Sequence, residues 1–449
     1  MTASAPALSP GQAFTTTSGR RGTVGRHLGA GGQGGVYEVY LDGMTFALKW
    51  YHPHYTAIDT TLRTRLERSV QRGAPTGDFL WPMDLVDIPG SGSFGYVMPL
   101  RSGGFVSIRD LIVPPPKRLE LSLPQRATVC LQLANSFLAL HANGFCYQDI
   151  NFGNIFIDPQ SARVLICDND NVNIDGSDAS IYGTRKFMAP EVVRRETLPN
   201  SRTDLFSMSV LFFYTMFSWH PLDGRREAET QVLDAAAEMR LYGTDPLFLF
   251  DPNDVANGPV EGLHDAIVAR WESLNEALRA LFVRAFTEGL RDPAGRVLET
   301  EWRGPLRGVI DATFACPNCG FEHVADPARS GSPAPETCVA CLEPMTAPPV
   351  LVVGGRAVAL HLGAEVKGDL LRRGGAEAAG ARVECHPRHP DRIGLRNLSE
   401  TPWEITLPDS SIHTVPPGQT IRIVPGAAIR FGRASGRIFA GAQQLAESA

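Results

Sequence analysis

The chain has 449 residues, 43% of them hydrophobic and 20% charged, with a formal net charge of −6 at pH 7. That balance fits folded globular protein, and the length calls for two or three domains rather than a single core. A net acidic chain argues against a surface built mainly for nucleic acid or anionic lipid, so neither a nucleic-acid partner nor a membrane is expected.

Met1 to Arg21 is small, polar and threonine-rich, with no apolar core between basic and cleavage regions. It does not read as a secretory signal and is expected to be a disordered tail. From Thr23 to Leu100, glycine-rich turns alternate with strand-like runs such as Val36 to Tyr40 and Thr45 to Trp50, interrupted by one helical segment at about Asp59 to Gln71. Helices dominate from Pro124, where Val129, Leu133, Phe137 and Leu140 repeat at helical spacing. The pattern predicts an α+β arrangement in which a small β-rich lobe precedes a larger helical lobe, with a cleft between them. Met208 to Phe217 is the longest apolar stretch. It has about half of the twenty residues a bilayer span needs, and reads as a buried helix. Proline density rises between Asp326 and Pro349; the valine and isoleucine runs beyond it predict a small β domain to the end.

The first chemical motif is Gly29-Ala30-Gly31-Gly32-Gln33-Gly34-Gly35-Val36, which fits G-x-G-x-x-G-x-V. A dinucleotide-binding fold would open a helix with these glycines, whereas Tyr37 to Tyr40 reads as a second strand, so the loop would fold over phosphates. A glycine-rich hairpin without ligand satisfies the same motif. Phe46-Ala47-Leu48-Lys49, however, places an apolar-flanked lysine thirteen residues beyond Val36, within reach of nucleotide phosphates. Glu67, eighteen residues further on in the helical segment, is the acidic partner expected to hold the Lys49 ammonium.

Tyr147-Gln148-Asp149-Ile150-Asn151-Phe152-Gly153-Asn154 resembles the protein-kinase catalytic loop H-R-D-x-K-x-x-N. Asp168-Asn169-Asp170 stands where that family has D-F-G, and Gly183-Thr184-Arg185-Lys186-Phe187-Met188-Ala189-Pro190-Glu191 resembles its G-T-x-x-[FY]-x-A-P-E segment. The stretch from Ser201 to Ser207 resembles the next family helix, and Arg296 and Trp302 the closing signature. The chain is thereby similar to bacterial Hanks-type serine/threonine kinases. The resemblance implies that Asp149 orients or accepts the proton of a substrate hydroxyl, and that Asn154 and Asp168 hold magnesium. ATP would lie against Gly29, Gly31, Gly34, Val36, Lys49 and the hinge at Met98. It also implies that Asp204 braces the catalytic loop and that Arg296 pairs with Glu191. Departures are plain: Tyr147 and Gln148 replace His and Arg, Asn151 replaces the loop lysine, and Asn169 and Asp170 replace Phe and Gly. Arg185 and Lys186 are the nearby cations that could compensate. An active kinase is the leading expectation, and a pseudokinase serving as nucleotide-binding scaffold or interaction module is the alternative.

Of the eight cysteines, Cys316, Cys319, Cys338 and Cys341 form two C-x-x-C pairs separated by eighteen residues. With no export signal this spacing predicts a four-thiolate structural zinc ribbon rather than disulfides. His323 is surplus to such a site. The stretches Ile393 to Ser399, Trp403, Val415 to Gly418 and Ile429 to Gly432 weakly resemble the forkhead-associated β-sandwich. The expected order is a disordered tail over 1–21, kinase N-lobe over 22–100, C-lobe over 101–311, zinc ribbon over 312–348 and a β-sandwich-like domain over 349–449. The chain is expected to be cytoplasmic and to act on protein substrates; its layout is also similar to the kinases of bacterial stress-response triads that include a metal-dependent phosphatase and a von Willebrand A protein.

Overall fold

The computed structural model describes residues 8–176, 182–326, 335–371, 379–386 and 389–441. The chain divides into two compact units, one made of 1–121, 129–258 and 284–300, the other of 122–128, 259–283 and 301–449. The helices around residues 259–283 and 301–312 thus group with the tail and not with the preceding lobe.

The first unit begins with a closed barrel, in the order β1 (Ala13–Thr16), β2 (Arg21–Ala30), β3 (Gly34–Leu41), β4 (Met44–Tyr51), β6 and β5, where β5 is Asp84–Asp87 and β6 is Phe94–Pro99. The expectation of a disordered tail over 1–21 is corrected here for residues 8–21, while residues 1–7 lie outside the described residues. β1 pairs with β2 through Phe14↔Gly22 and with β5 through Thr15↔Asp87. Strand alternation turns Phe14 inward, where it joins Leu8, Val24, Val39, Leu48 and Val97 in the barrel core. A Cβ on Gly22 would lie 2.6 Å from the Phe14 ring, so the pairing needs glycine there. Closure also leaves no open strand edge. Leu8 and Phe14 are the large apolar side chains that tie this otherwise polar run to the core.

Two helices follow β4: α1 (Pro53–Ile58) and α2 (Leu62–Arg72). The inward face of α2 is Leu62, Arg65, Leu66 and Ser69, the spacing of one helical stripe. Beyond the short β7 (Val106–Ser107) come α3 (Leu123–Ala142), β8 (Phe145–Cys146), β9 (Ile155–Ile157), β10 (Val164–Ile166), β11 (Asn173–Ile174) and α4 (Pro190–Val193). β9 and β10 pair antiparallel, Ile155 opposite Ile166, and carry the loops that hold the polar residues of the cleft. The long apolar stretch is α5 (Ser201–Phe217), buried at every position from Thr203 to Phe217. Asn200 caps it, accepting the N–H groups of Arg202 and Thr203 in a capping box. No helix among the described residues is long and apolar enough to cross a membrane.

The second unit contains α8 (Asp265–Ser273) and most of α11 (Glu299–Ala312), the intervening helices being α9 (Glu276–Phe286) and α10 (Glu288–Arg291), with α6 (Arg225–Ala228) and α7 (Ala235–Met239) earlier in the chain. Next comes the hairpin of β12 (Thr313–Ala315) and β13 (Glu322–Val324). The all-β region after it has a six-stranded and a four-stranded sheet around one core that includes Leu351, Val366, Leu395, Trp403 and Ile429. Ser399 faces its own turn, accepting from Trp403 Nε1 at 3.0 Å and donating to Asn397 Oδ1 at 2.7 Å. Arg396 reaches Glu384 at 3.3 Å.

Candidate active site

Gly29 and Ala30 pair with Val36 and Gly35, and the Gly31 N–H donates to Gly34 O at 2.8 Å, so the glycine-rich segment is a strand-loop-strand. Gly34 is sterically required: a Cβ there would sit 2.1 Å from Trp50 O. Nothing lies within 4 Å of a Cβ built on Gly29 or Gly31, which leaves that side of the loop open. Below the loop, Ala47, Met98 and Leu165 share one apolar cluster, with Val36 and Phe156 packed against it. These side chains supply apolar surface of the kind a flat, largely apolar ring packs against.

Lys49 lies opposite Val36 in the sheet and is 5% exposed. Its Nζ donates to Asp170 Oδ2 at 2.8 Å, Asp170 Oδ1 at 3.0 Å, Asp168 Oδ1 at 3.2 Å and Gln33 Oε1 at 2.7 Å. Burial opposes the charge, but Asp170 and then Asp168 outweigh it and hold Lys49 above the ordinary lysine value. Tyr51 completes the cluster by donating to Asp170 Oδ2 at 2.5 Å.

The expected partner, Glu67, is not at Lys49. Its side chain is 55% exposed and pairs with Arg63 one helical turn away, at 3.7 Å. The physical reason is the choice of helix face, because Leu62 and Leu66 take the buried stripe and turn Glu67 to solvent. A second expectation also changes. Arg185 pairs with Glu238, and Lys186 reaches Asp223 at 2.6 Å, so neither cation points at the catalytic loop. Asp223 also accepts from Tyr242 at 2.7 Å. Although burial opposes its ionisation, His220 and Lys186 hold its carboxyl well below the usual range.

Asp204 organises the catalytic loop by accepting the Tyr147 N–H at 2.5 Å and the Gln148 N–H at 3.0 Å. Gln148 takes a φ of 72°, a left-handed conformation that such backbone clamping sustains. Tyr147, standing where the family has histidine, donates its hydroxyl to Cys167 O. Asn154 Nδ2 donates to Asp149 O at 2.9 Å, and its own carbonyl accepts the Cys167 N–H at 2.8 Å. Asp149, Asn154 and the Asp168 strand end are thereby tied together. Asn151, at the position of the family lysine, spends its side chain on the turn, accepting from the Gly153 N–H at 2.7 Å. Thr184 Oγ1 donates to Asp149 Oδ1 at 2.9 Å.

At Asp168 a φ of 49° reverses the chain into the single turn Asn169–Asn171. Asn169 is fully buried and donates to Leu80 O at 2.9 Å and Ile166 O at 3.0 Å. The Asp168 side chain is 48% exposed, and with Asn154 it offers oxygen donors of the kind magnesium takes. Sequence reasoning missed Asp170, Gln33 and Tyr51. The doubled acid of Asp168-Asn169-Asp170 was the available signal.

Separately, in the second unit, the four Sγ atoms of Cys316, Cys319, Cys338 and Cys341 lie within 4.8 Å of one another. Cys316 and Cys341 are 3.9 Å apart, and Cys319 and Cys338 3.7 Å. A tetrahedral zinc with bonds of about 2.3 Å sets its sulfurs about 3.8 Å apart, whereas a disulfide needs about 2.05 Å. Each pair closes a tight turn, Gly320 N–H to Cys316 O and Leu342 N–H to Cys338 O, both at 2.9 Å. The cluster is compatible with a structural zinc. His323 Nε2 lies 3.3 Å from Cys338 Sγ, beside the four-sulfur set.

Comparison with known proteins adds an independent line. The protein kinase domain family matches residues 23–247, half of the chain. Protein kinase YegI of Escherichia coli K12 is 28% identical over 234 residues, covering 46% of this chain and 34% of that protein. Serine/threonine-protein kinase pkn2 of Myxococcus xanthus is 27% identical over 296 residues, 60% of this chain and 34% of that one. CBL-interacting protein kinase 4 of Oryza sativa subsp. japonica is 29% identical over 183 residues, 37% of this chain and 39% of that protein. The matches therefore span between about a third and two-fifths of these relatives' lengths.

Proposed function

The chain belongs to the protein kinase family, and on that premise we propose that it transfers the γ-phosphate of ATP to serine or threonine hydroxyls of a protein substrate. One observation carries this reading: a continuous polar path runs from Lys49 to Asp168 at 3.2 Å, through the Cys167–Asn154 backbone bond, to Asn154 and Asp149 at 2.9 Å. Lys49 would hold phosphate oxygens, and the apolar side chains of Val36, Ala47 and Met98 would pack against the base. Asn154 and Asp168 fit magnesium, which when bound neutralises charge on the phosphates. Asp149 would orient the acceptor hydroxyl and take its proton, its carboxylate being kept in register by Thr184 and by the loop that Asp204 clamps. Serine/threonine specificity is supported by the name of the Myxococcus relative.

A second reading, nucleotide binding without transfer, is favoured by Asn151, whose side chain is engaged in the turn and supplies no cation. Incubating the purified full chain with labelled ATP, magnesium and protein acceptors separates the two. Transfer that falls roughly 100-fold or more in Asp149→Ala and Asp168→Ala supports phosphotransfer. Wild type that transfers no more than Asp149→Ala supports the scaffold.

For the second unit we propose one structural zinc on Cys316, Cys319, Cys338 and Cys341. Four thiolates leave no open position for chemistry, so its role would be to fold the segment around it. The layout further supports a role in bacterial signalling, with a phosphatase and a von Willebrand A protein as partners that co-purification would test.

A further inference from the structure

We propose that Asp170 is the positioning residue that holds Lys49 for catalysis, in place of an acid on helix α2. The proposal rests on the phosphotransfer reading above. A buried ammonium needs a counter-ion that stays with it through the reaction cycle, and Asp168 is a poor choice, because its oxygens are those a metal would claim and its side chain is half exposed. Asp170 has the opposite character. Its side chain is 1% exposed, both of its oxygens contact Lys49 Nζ, and the Tyr51 hydroxyl fixes one of them at 2.5 Å.

Helix α2 cannot take this role by a small shift. Its sequence, Leu62 to Arg72, contains one acidic residue, Glu67, and that residue lies off the buried stripe. Each residue advances about 100° around a helix. Rotating Glu67 inward would therefore carry Leu62 and Leu66, which are 0% and 1% exposed, out toward water. The same rotation would pull Arg65 from its two-pronged pair with Asp59, at 2.8 and 3.1 Å, which anchors the inward face. Asp170, by contrast, is delivered by a locked element. The chain reversal at Asp168 and the two bonds from Asn169 to Leu80 O and Ile166 O set the position of the next side chain. In this sequence the acid stands where the family motif has glycine. The two carboxylates divide the labour, Asp170 staying on the lysine while Asp168 is free to turn to the metal.

Binding of a fluorescent ATP analogue with magnesium, measured on the full chain, tests this apart from turnover. Asp170→Asn is expected to weaken binding at least tenfold, and Glu67→Gln to leave it within twofold of wild type. In the Lys49→Met background, adding Asp170→Asn is expected to cost no more than a further twofold, because Asp170 acts through the lysine. Tenfold loss in Glu67→Gln, unaltered binding in Asp170→Asn, or a full additive loss in the double variant would each overturn the proposal. Should Asp170→Asn fail to fold, Tyr51→Phe removes one bond to Asp170 without a change of charge and is expected to weaken binding about threefold; unchanged binding there overturns it equally. Wild type that binds nucleotide but transfers nothing defeats the phosphotransfer reading alone and leaves the binding comparison decisive for Asp170.

Discussion

The guanidinium of Arg296 reaches 105 residues back along the chain to Glu191, with Nη2 2.8 Å from Oε2. The same side chain donates to Gly289 O at 3.1 Å and Arg202 O at 2.9 Å, and only 2% of it is exposed. It ties the end of the Gly183 to Glu191 segment to α5 and α10. Glu191→Ala leaves this cation buried without its carboxylate, a change that costs about 3 kcal/mol. Chemical unfolding of the full chain should show that loss in the transition of the first unit, while an equally stable variant would mean that the two backbone carbonyls suffice.

His141 sits between Asp204 and Glu299. Burial works against its charge, but bonds to Asp204 and Glu299 prevail and raise its pKa to about 9 from the ordinary 6.5. Because the folded value is the higher one, this stabilisation is complete below about pH 6.5 and is lost as pH rises through 9. The full effect is on the order of 3 kcal/mol. Unfolding free energies of wild type and His141→Gln should therefore converge between pH 6.5 and 9.5. A constant difference across that window would show that the histidine contributes by packing alone.

Phe14 is 5% exposed inside the barrel. Phe14→Ala should destabilise the protein by about 3 kcal/mol, the usual scale for emptying a buried aromatic site, and deletion of residues 1–17 should do more, since it reopens the edges of β2 and β5. Thermal melting of both forms checks this. A deletion that melts like wild type would return the segment to the status of a tail.

The four-cysteine cluster should carry close to one zinc per chain by elemental analysis, and Cys316→Ser with Cys319→Ser should abolish it. Metal-thiolate binding is worth on the order of 10 kcal/mol in small modules, so chelation should unfold the segment around β12 and β13. The first unit has its own core and should keep its far-ultraviolet signature. Metal-free wild type with intact folding would defeat the assignment.

How far the site was legible depends on how local its parts are. Lys49 follows the glycine-rich loop by a strand's length, Asp149 and Asn154 share one loop, and Asp168 ends the strand paired with the next. In each case a few covalent bonds and one strand pairing set the positions within a motif, while tertiary packing brings Lys49 to 3.2 Å from Asp168 across 119 residues of chain. The two C-x-x-C turns are local in the same sense, and a buried helix at Met208 to Phe217 followed from an apolar run too short for a bilayer, which the structure extends back to Ser201.

What the sequence by itself determined, then, is the order of the motifs, the α+β class and the residue types available for phosphate, metal and proton. Only the tertiary structure decided which acid meets the lysine. Glu67 had the right type and interval, but a helix buries the face that covers the most apolar surface, and Leu62 and Leu66 outbid a carboxylate for that face. Asp170 won because a turn pinned by Asn169 points it inward to the buried ammonium, which it meets with both oxygens. The strand at Ala13–Thr16 was decided in the same way: its phenylalanine and threonines favour extended backbone, but four residues cannot hold a strand alone, and it forms because β2 and β5 offer it two open edges and a core with room for Phe14.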